Sequence, residues 1–136
     1  MLRPRIIPSL LIHDNGLVKT KNFQNPSYVG DPINAVKTFN EKEVDELIVI
    51  DIDASRYGNI PNELLITQLA SECRMPLCYG GGVKTIKQFE TLVSLGVEKV
   101  AISSAAVDNP ELISKAAERV GSQSVVVVID IKNTGI

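Results

Sequence analysis

Two short apolar runs in this sequence end in residues suited to holding an anion. The first run is followed by three glycines, Gly80 to Gly82, and the second by Ser103 and Ser104. Glycine has no Cβ, so the main chain can approach a ligand closely, and free N–H groups at the start of a following helix favour a phosphate. The alternative is a turn that only needs its glycines. We predict a phosphate site formed by Gly81, Gly82, Ser103 and Ser104.

Three charged residues indicate a second site at the other end of the same strands. Residues two apart in a strand share a face, and this rule places Arg5 and Lys99 on the interior face of the sheet. Glu46 stands at the start of a neighbouring strand, at the same end. Buried charges are costly unless they pair, so an ion cluster is expected here. A plain structural plug and a surface cluster outside the strands are the alternatives.

Carboxylates at the ends of strands are candidates for acid–base chemistry. Asp51, Asp53 and Asp130 each follow or end a branched apolar run. A carboxyl group can take up or release a proton in a reaction. Asp51 does not share the strand parity of Glu46, so either the strand bulges or Asp51 lies beyond its regular part.

Strand, loop and helix alternate along the chain four times before a fifth strand. Short connections of this kind are typical of a parallel sheet. A long polar stretch, residues 13–30, is predicted to be a loop that acts as a functional lid. The expected strands are 5–12 (irregular at Pro8), 47–52, 77–79, 99–103 and 125–131, and the expected helices are 31–43, 61–73, 85–96 and 109–121.

An open doubly wound sheet and a (β/α)8 barrel both satisfy this alternation. No G-x-G-x-x-G follows the first strand, which disfavours a dinucleotide-binding sheet. Polar residues at the carboxyl ends of the strands fit the active face of a barrel. We predict an α/β fold, the N-terminal half of a (β/α)8 TIM barrel with four βα units plus a fifth strand. Residues 1–136 form a single domain in this prediction.

Composition excludes several classes of protein. The 136 residues are 44% hydrophobic and 22% charged with a net charge of −2, as in an ordinary globular protein. No basic run indicates nucleic acid or an anionic membrane as a partner. Cys73 and Cys78 are expected to be reduced core thiols of a cytoplasmic protein rather than a disulfide or metal site. We predict neither a metal nor another cofactor.

Short motifs are spread along nearly the whole chain. They are Arg5-Ile-Ile-Pro, Val18-Lys19, Asn22-Phe23, Gly30-Asp31-Pro32, Asp45-Glu46-Leu47, Gly80-Gly81-Gly82, Glu98-Lys99-Val100, Ala105-Ala106-Val107, Asn109-Pro110, Gly121-Ser122-Gln123 and Ile129-Asp130. Jointly these motifs resemble one family, the cyclase subunit of imidazole glycerol phosphate synthase. The resemblance spans only the N-terminal half of that family's (β/α)8 barrel.

The resemblance implies that ammonia from a partner glutaminase enters through the N-terminal end of the barrel. Arg5, Glu46 and Lys99 match the charged gate at that entry. Gly82, Ser103 and Ser104 match one of two phosphate sites, although serines stand where the family has asparagine and threonine.

The same resemblance implies the catalytic set. Asp130 matches one of two catalytic carboxylates, and Lys19 matches a mobile loop that closes over the substrate. We predict Asp130, Lys19 and Asp51 as catalytic residues. The family's other catalytic aspartate is replaced here by Leu11, which cannot transfer a proton. Asp53 is a candidate for a relocated carboxylate, whereas His13, which replaces a family lysine, is expected to be a solvated loop residue.

The chain keeps the residues that match the gate but lacks one of the two catalytic acids. This combination resembles a paralogous branch found in bacterial surface-polysaccharide clusters. That branch implies an ammonia-accepting amidotransferase component that helps convert an acetamido sugar to an acetamidino sugar. Its expected partners are a glutaminase and a phosphorylated or nucleotide-linked small molecule. The alternatives are the histidine-pathway cyclase itself and a non-catalytic half barrel that conducts ammonia or assembles partners.

Overall fold

The computed structural model describes residues 2–135. The strands are β1 (Ser9–His13), β2 (Gly16–Lys21), β3 (Gln24–Gly30), β4 (Leu47–Asp51), β5 (Leu77–Gly80), β6 (Lys99–Ile102) and β7 (Val125–Val127). The helices are α1 (Pro32–Glu41), α2 (Ile52–Tyr57), α3 (Glu63–Glu72), α4 (Ile86–Ser94), α5 (Ser104–Asp108) and α6 (Glu111–Val120), with a 3-10 turn at Ser122–Ser124.

One sheet contains all seven strands, in the order β3-β2-β1-β4-β5-β6-β7. Its five strands β1, β4, β5, β6 and β7 pair in parallel in chain order, with helices in the connections. This arrangement confirms the predicted α/β alternation of four βα units followed by a fifth parallel strand.

Local capping signals fix where two of the helices begin. Asp31 accepts a hydrogen bond from the N–H of Asn34 at 3.0 Å, and Pro32 occupies the first turn of α1. Thr85 and Gln88 form a reciprocal capping box at the start of α4, with distances of 3.2 and 3.0 Å. A side-chain cap of this kind contributes about 1 kcal/mol. Both predicted helix starts are confirmed.

The first predicted strand is wrong in its first half. Strand β1 begins only at Ser9, directly after Pro8. Residues 6–8 still run beside β4, because Asp45 and Ile48 donate backbone hydrogen bonds to the carbonyls of Ile6 and Pro8. Proline has no N–H to continue the ladder, so the regular strand cannot extend through it.

The predicted lid loop at residues 13–30 is also wrong. It forms the hairpin β2–β3, which pairs antiparallel with β1 and extends the sheet at that edge. Val18 is buried and anchors it. The turns use positive φ at Asp14 and Asn15 and again at Asn22 and Phe23. Asp and Asn tolerate this backbone region, which is the turn signal that the sequence offered.

The last strand and two short helices also differ from the predictions. Strand β7 ends at Val127 instead of residue 131, and Ile129 beyond it is 76% exposed. Helices α2 and α5 were not predicted, since six and five residues are too few to show helical periodicity.

The core lies between the helices and the outward face of the parallel strands. Alternate strand residues such as Leu47, Val49 and Val100 meet helix residues such as Phe89 and Leu92, all at most 1% exposed. Burying each such side chain contributes about 1.5–3 kcal/mol, so this layer fixes the positions of the strand ends. Among residues 2–135, no helix has the length and apolar character that crossing a membrane requires.

Candidate functional site

The carboxyl ends of β5, β6 and β7 surround an open cleft of about 600 Å³. The parallel strands bring their last residues to one edge of the sheet, where the following loops begin. The cleft is lined by all four predicted phosphate residues and one predicted catalytic residue: Gly81, Gly82, Ser103, Ser104 and Asp130. Three segments whose residues lie 21 to 49 positions apart in the sequence therefore meet in one place.

Asp130 reaches the cleft through a single side-chain contact. The Oγ of Ser103 donates a hydrogen bond to Asp130 Oδ2 over 3.3 Å. Asp130 lies beyond the end of β7 and is exposed, although Val128 still donates a backbone hydrogen bond to Ile102 at 2.9 Å. The carboxylate is thus placed beside the predicted phosphate residues without being buried.

Ser103 lies directly before the short helix α5, and no side chain caps the first turn of that helix. Uncapped N–H groups at a helix start can bind an anion or water. The predicted phosphate site stays a prediction, and its polar groups are the serine hydroxyls and these backbone donors.

Glycine is required in the loop after β5 because other backbone packs closely against that loop. A Cβ on Gly81 would lie 2.5 Å from the carbonyl oxygen of Asp51, and one on Gly82 would lie 2.4 Å from that of Asn59. Both glycines have positive φ, of 127° and 70°. The sequence interpretation, in which glycine leaves room for an anion, therefore misses the main reason for these residues: the missing Cβ atoms would point at backbone.

Asp51 is engaged in structure at the end of β4. Its Oδ1 accepts hydrogen bonds from the N–H groups of Asp53 and Ala54, at 2.9 and 3.0 Å, and so caps α2. Asp51 is the last residue of β4, in register with Ile12 of β1, so it does not lie beyond the regular strand; Glu46 is the residue outside it, directly before β4. The catalytic role predicted for it has no support from this geometry.

Lys19 lies on β2 with an exposed side chain, opposite Ser27 of β3. Its strand belongs to the hairpin at the far side of β1 from the cleft. The structure therefore does not bring Lys19 together with Ser103 and Asp130, and its predicted role stays a prediction.

His13 and Asp53 form a pair that the sequence did not reveal. His13 ends β1 and its Nδ1 lies 2.6 Å from Asp53 Oδ1, while Asp53 Oδ2 accepts from the N–H of Asp14 at 2.8 Å. The prediction of a solvated loop histidine is wrong, because His13 lies on a strand and is bonded to Asp53. The sequence could not show this pair, since 40 residues separate the partners and only the fold joins them. Through these two contacts, Asp53 holds the β1–β2 turn against α2.

This pairing shifts both titrating groups. The hydrogen bond to Asp53, aided by the negative charges of Asp53 and Asp14, raises the pKa of His13. Desolvation opposes the shift of Asp53, but the bonds from Asp14 and His13 prevail and lower the pKa of Asp53. These three residues bring ligand atoms within 4.8 Å of one another, a spacing that a divalent cation could bridge, but both His13 nitrogens already face carboxylates.

The three predicted gate residues do meet, at the amino ends of the strands. Lys99 Nζ lies 3.0 Å from both carboxylate oxygens of Glu46, and Arg5 forms a second ion pair with Glu46. The Glu46 side chain is only 5% exposed, whereas those of Lys99 and Arg5 are 28% and 57% exposed. A buried carboxylate needs such partners, because an unpaired one costs several kcal/mol.

The two cysteines are free thiols. Cys78 is buried on β5, and burial raises its pKa to about 11, so it stays protonated and unreactive at neutral pH. Cys73 is partly buried, and its Sγ contacts the carbonyl of Met75 at 3.2 Å.

Comparison with known proteins decides the family. A family model described as "Histidine biosynthesis protein" matches residues 5–136. The chain belongs to that family. Its membership confirms the resemblance of the sequence motifs and the interpretation of the parallel sheet as part of a (β/α)8 barrel.

Individual relatives carry related names. The chain is 61% identical over 132 residues to the "Putative imidazole glycerol phosphate synthase subunit hisF3" of Vibrio vulnificus, covering 97% of this chain and 51% of that protein. It is 59% identical over 130 residues to the "hisF2" protein of Pseudomonas aeruginosa, which has the same descriptive name, covering 96% and 52%. It is 40% identical over 134 residues to the "Imidazole glycerol phosphate synthase subunit HisF" of Phocaeicola vulgatus, covering 98% and 53%. The chain thus spans about half the length of the curated relatives it matches.

Proposed function

We propose that this chain is the N-terminal half of an ammonia-accepting synthase component of a glutamine amidotransferase. The observation that carries the proposal is the cluster of Arg5, Glu46 and Lys99. Three separate segments converge there on one buried carboxylate at the amino ends of the strands. Most of the hydrogen-bonding capacity of Glu46 is taken up by the two cations, so the cluster closes this end of the sheet. Ammonia can pass from a docked glutaminase only when these contacts rearrange.

The opposite end fits the proposed acceptor substrate. The cleft lined by Gly82, Ser103 and Asp130 combines hydroxyl and backbone donors with one exposed carboxylate. Donors of this kind suit a phosphate group, and the carboxylate would remain free to exchange protons with a bound substrate. We therefore propose a phosphorylated or nucleotide-linked small molecule as the substrate.

The finer proposal is the conversion of an acetamido to an acetamidino sugar in the synthesis of a surface polysaccharide. It is supported by Leu11, which stands where the cyclase family has a catalytic aspartate. Leu11 is half-buried on β1, in register with Ile50 on one side and Val18 on the other. These apolar neighbours offer no group that could replace its proton transfer.

The second candidate is the cyclase of histidine biosynthesis. The name of the Phocaeicola vulgatus relative favours it, since that protein is called an imidazole glycerol phosphate synthase subunit. Leu11 argues against it, because a general acid or base contributes about 10²–10⁴-fold to the rate in such sites.

Genetic complementation separates the two candidates. The full-length protein, expressed with its partner glutaminase, is expected not to restore growth without histidine to a strain that lacks the cyclase. Its Leu11→Asp variant is expected to give partial growth, and Leu11→Asn, which adds a polar group of the same size without a titrating carboxyl, serves as the matched control. Full growth with the unmodified protein would discard the sugar proposal in favour of the histidine pathway.

A further inference from the structure

The segment before β1 has few ways of its own to hold Arg5 in place. Pro4 and Pro8 have no N–H group, so a regular ladder of hydrogen bonds cannot run through residues 4–8. The Arg5 side chain is long and more than half exposed, at 57%. Holding such a side chain on one partner costs rotamer entropy, and a mobile backbone would add its own entropy to that cost.

Asp45 fixes that backbone from the neighbouring strand. Its Oδ2 accepts a hydrogen bond from the N–H of Ile6 at 2.6 Å. Its own N–H donates to the carbonyl of Ile6 at 3.0 Å, and the N–H of Glu46 shares this carbonyl at 3.4 Å. Ile6 is therefore held on both its donor and its acceptor, and the bond to the carboxylate is charge-assisted.

This double contact lies between the two partners of an ion pair. Asp45 precedes Glu46, and Ile6 follows Arg5, so one backbone junction sets the distance between the Arg5 guanidinium and the Glu46 carboxylate. Lys99 needs no such help, because it projects from the regular strand β6. The cluster thus has one cation held by a strand and one held through Asp45.

We propose that Asp45 is a positioning residue, which keeps Arg5 on Glu46 by binding the backbone of Ile6. Asp45 does not touch the ammonia route itself. Its effect on nitrogen transfer rests on the function proposed above, whereas its effect on the Arg5–Glu46 pair rests on the contacts alone. The simpler role, a local staple for the N-terminal segment, predicts a different result in the following experiment.

A double-mutant cycle in the full-length protein tests the positioning role. Asp45→Ala and Arg5→Ala are made singly and together, and the unfolding equilibrium of each is measured in urea. If Asp45 acts through Arg5, the two destabilising effects overlap. The unfolding equilibrium constant of the double variant is then about fivefold smaller than the value expected if the two single effects were independent. Purely additive effects would overturn the proposal. Should Asp45→Ala fail to fold, Asp45→Ser takes its place in the cycle.

Two further variants serve as controls. Asp45→Asn keeps an oxygen that can accept from Ile6 and is expected to behave nearly as the parent protein. Asp31→Ala removes an exposed carboxylate that likewise accepts one backbone N–H, but at the start of α1 and away from the cluster. Its effect should add to that of Arg5→Ala without overlap. Overlap of equal size with Asp31→Ala would show that the cycle reports general loss of stability, and would also overturn the proposal.

The functional readout is the ratio of glutamine-driven to ammonium-driven product formation, with the partner glutaminase present. Asp45→Ala and Arg5→Ala are expected to change this ratio in the same direction. Asp45→Asn is expected to keep the ratio near that of the parent protein. Coupling in the urea cycle with an unchanged ratio would support the positioning role and overturn the ammonia-gate function instead. The two proposals therefore fail in distinguishable ways.

Discussion

The two ends of the parallel strands hold their charged groups by different means. At the amino ends, Glu46 is buried and takes both cations of its cluster from distant segments, Lys99 lying 53 residues away. At the carboxyl ends, Asp130 is exposed and has one 3.3 Å contact with Ser103. Side-chain ion pairs join the segments at the first end, whereas backbone contacts of the glycine loop shape the second, beside an open cleft.

This difference matches two kinds of task. In the cluster at the amino ends, removing one cation leaves the buried carboxylate of Glu46 with fewer partners, so the three charges are energetically coupled. An open cleft with uncapped donors can exchange water for a ligand at small cost. Under the proposed function, passage of ammonia would be controlled at the amino ends and substrate binding would occur at the carboxyl ends. Three variants can break or sharpen this comparison.

The largest effect is expected at the glycine loop. Gly82→Ala would place a methyl group against the carbonyl of Asn59 at positive φ, and we expect a loss of about 3 kcal/mol in unfolding free energy. Gly58→Ala is the matched control, since its φ of 69° is nearly the same but nothing lies within 4 Å of the added Cβ. It should lose only about 1 kcal/mol, the cost of the backbone region alone. Equal losses in urea unfolding would show that the close loop contact is unimportant.

An intermediate effect is expected at the charged cluster. Lys99→Ala leaves Glu46 with Arg5 alone, so the loss of unfolding free energy should be about 1–2 kcal/mol, with a changed ratio of glutamine-driven to ammonium-driven product. Lys115→Ala removes an exposed pair with Glu111 on α6 and should lose less than about 0.5 kcal/mol. If stability falls but the product ratio does not change, the cluster has only a structural role, and the two ends of the strands do not differ in function as proposed.

The smallest effect is expected at the His13–Asp53 pair, and it depends on pH. The pKa of His13 is raised in the folded protein, so its contribution to stability is complete below about pH 6.5 and is lost as pH rises through the raised value. The lowered pKa of Asp53 has the opposite sense: its contribution is present above about pH 4 and is lost as pH falls through the lowered value.

Melting temperatures of the parent and His13→Gln measured across this range check the sign. The parent should exceed the variant at about pH 5.5, and the difference should shrink towards about pH 8.5. Lys21→Gln, an exposed change on the same hairpin, is expected to show no such trend. A difference that grows with rising pH would show that His13 is bound as the neutral ring.

Local signals in the sequence predicted the parts of the fold that depend on few neighbours. The Asp31-Pro32 pair and the Thr85–Gln88 box placed two helix starts. The expected ion cluster also forms, although Arg5 lies before β1 and the strand parity assumed for it does not apply. The hairpin β2–β3 was missed because its turns, Asp14-Asn15 and Asn22-Phe23, lack glycine at the central positions.

The remaining errors involve contacts that a linear pattern cannot carry. His13 at the end of β1 meets Asp53 on α2, which follows the adjacent strand β4, and Asp51 caps α2. The meeting of Gly82, Ser103 and Asp130 at one edge followed from the fold class, but the reason for the glycines did not. It depends on where the loop after α2 lies, which no residue of the glycine loop itself encodes.

The contact of that loop with the glycines restricts how the chain can change in evolution. Asp51 and Asn59 bracket the segment that contains α2, and their carbonyls lie where Cβ atoms of Gly81 and Gly82 would stand. An insertion or deletion between them would shift at least one carbonyl and displace the glycine loop with it. Changes of loop length that accompany a change of substrate should therefore avoid residues 51–59.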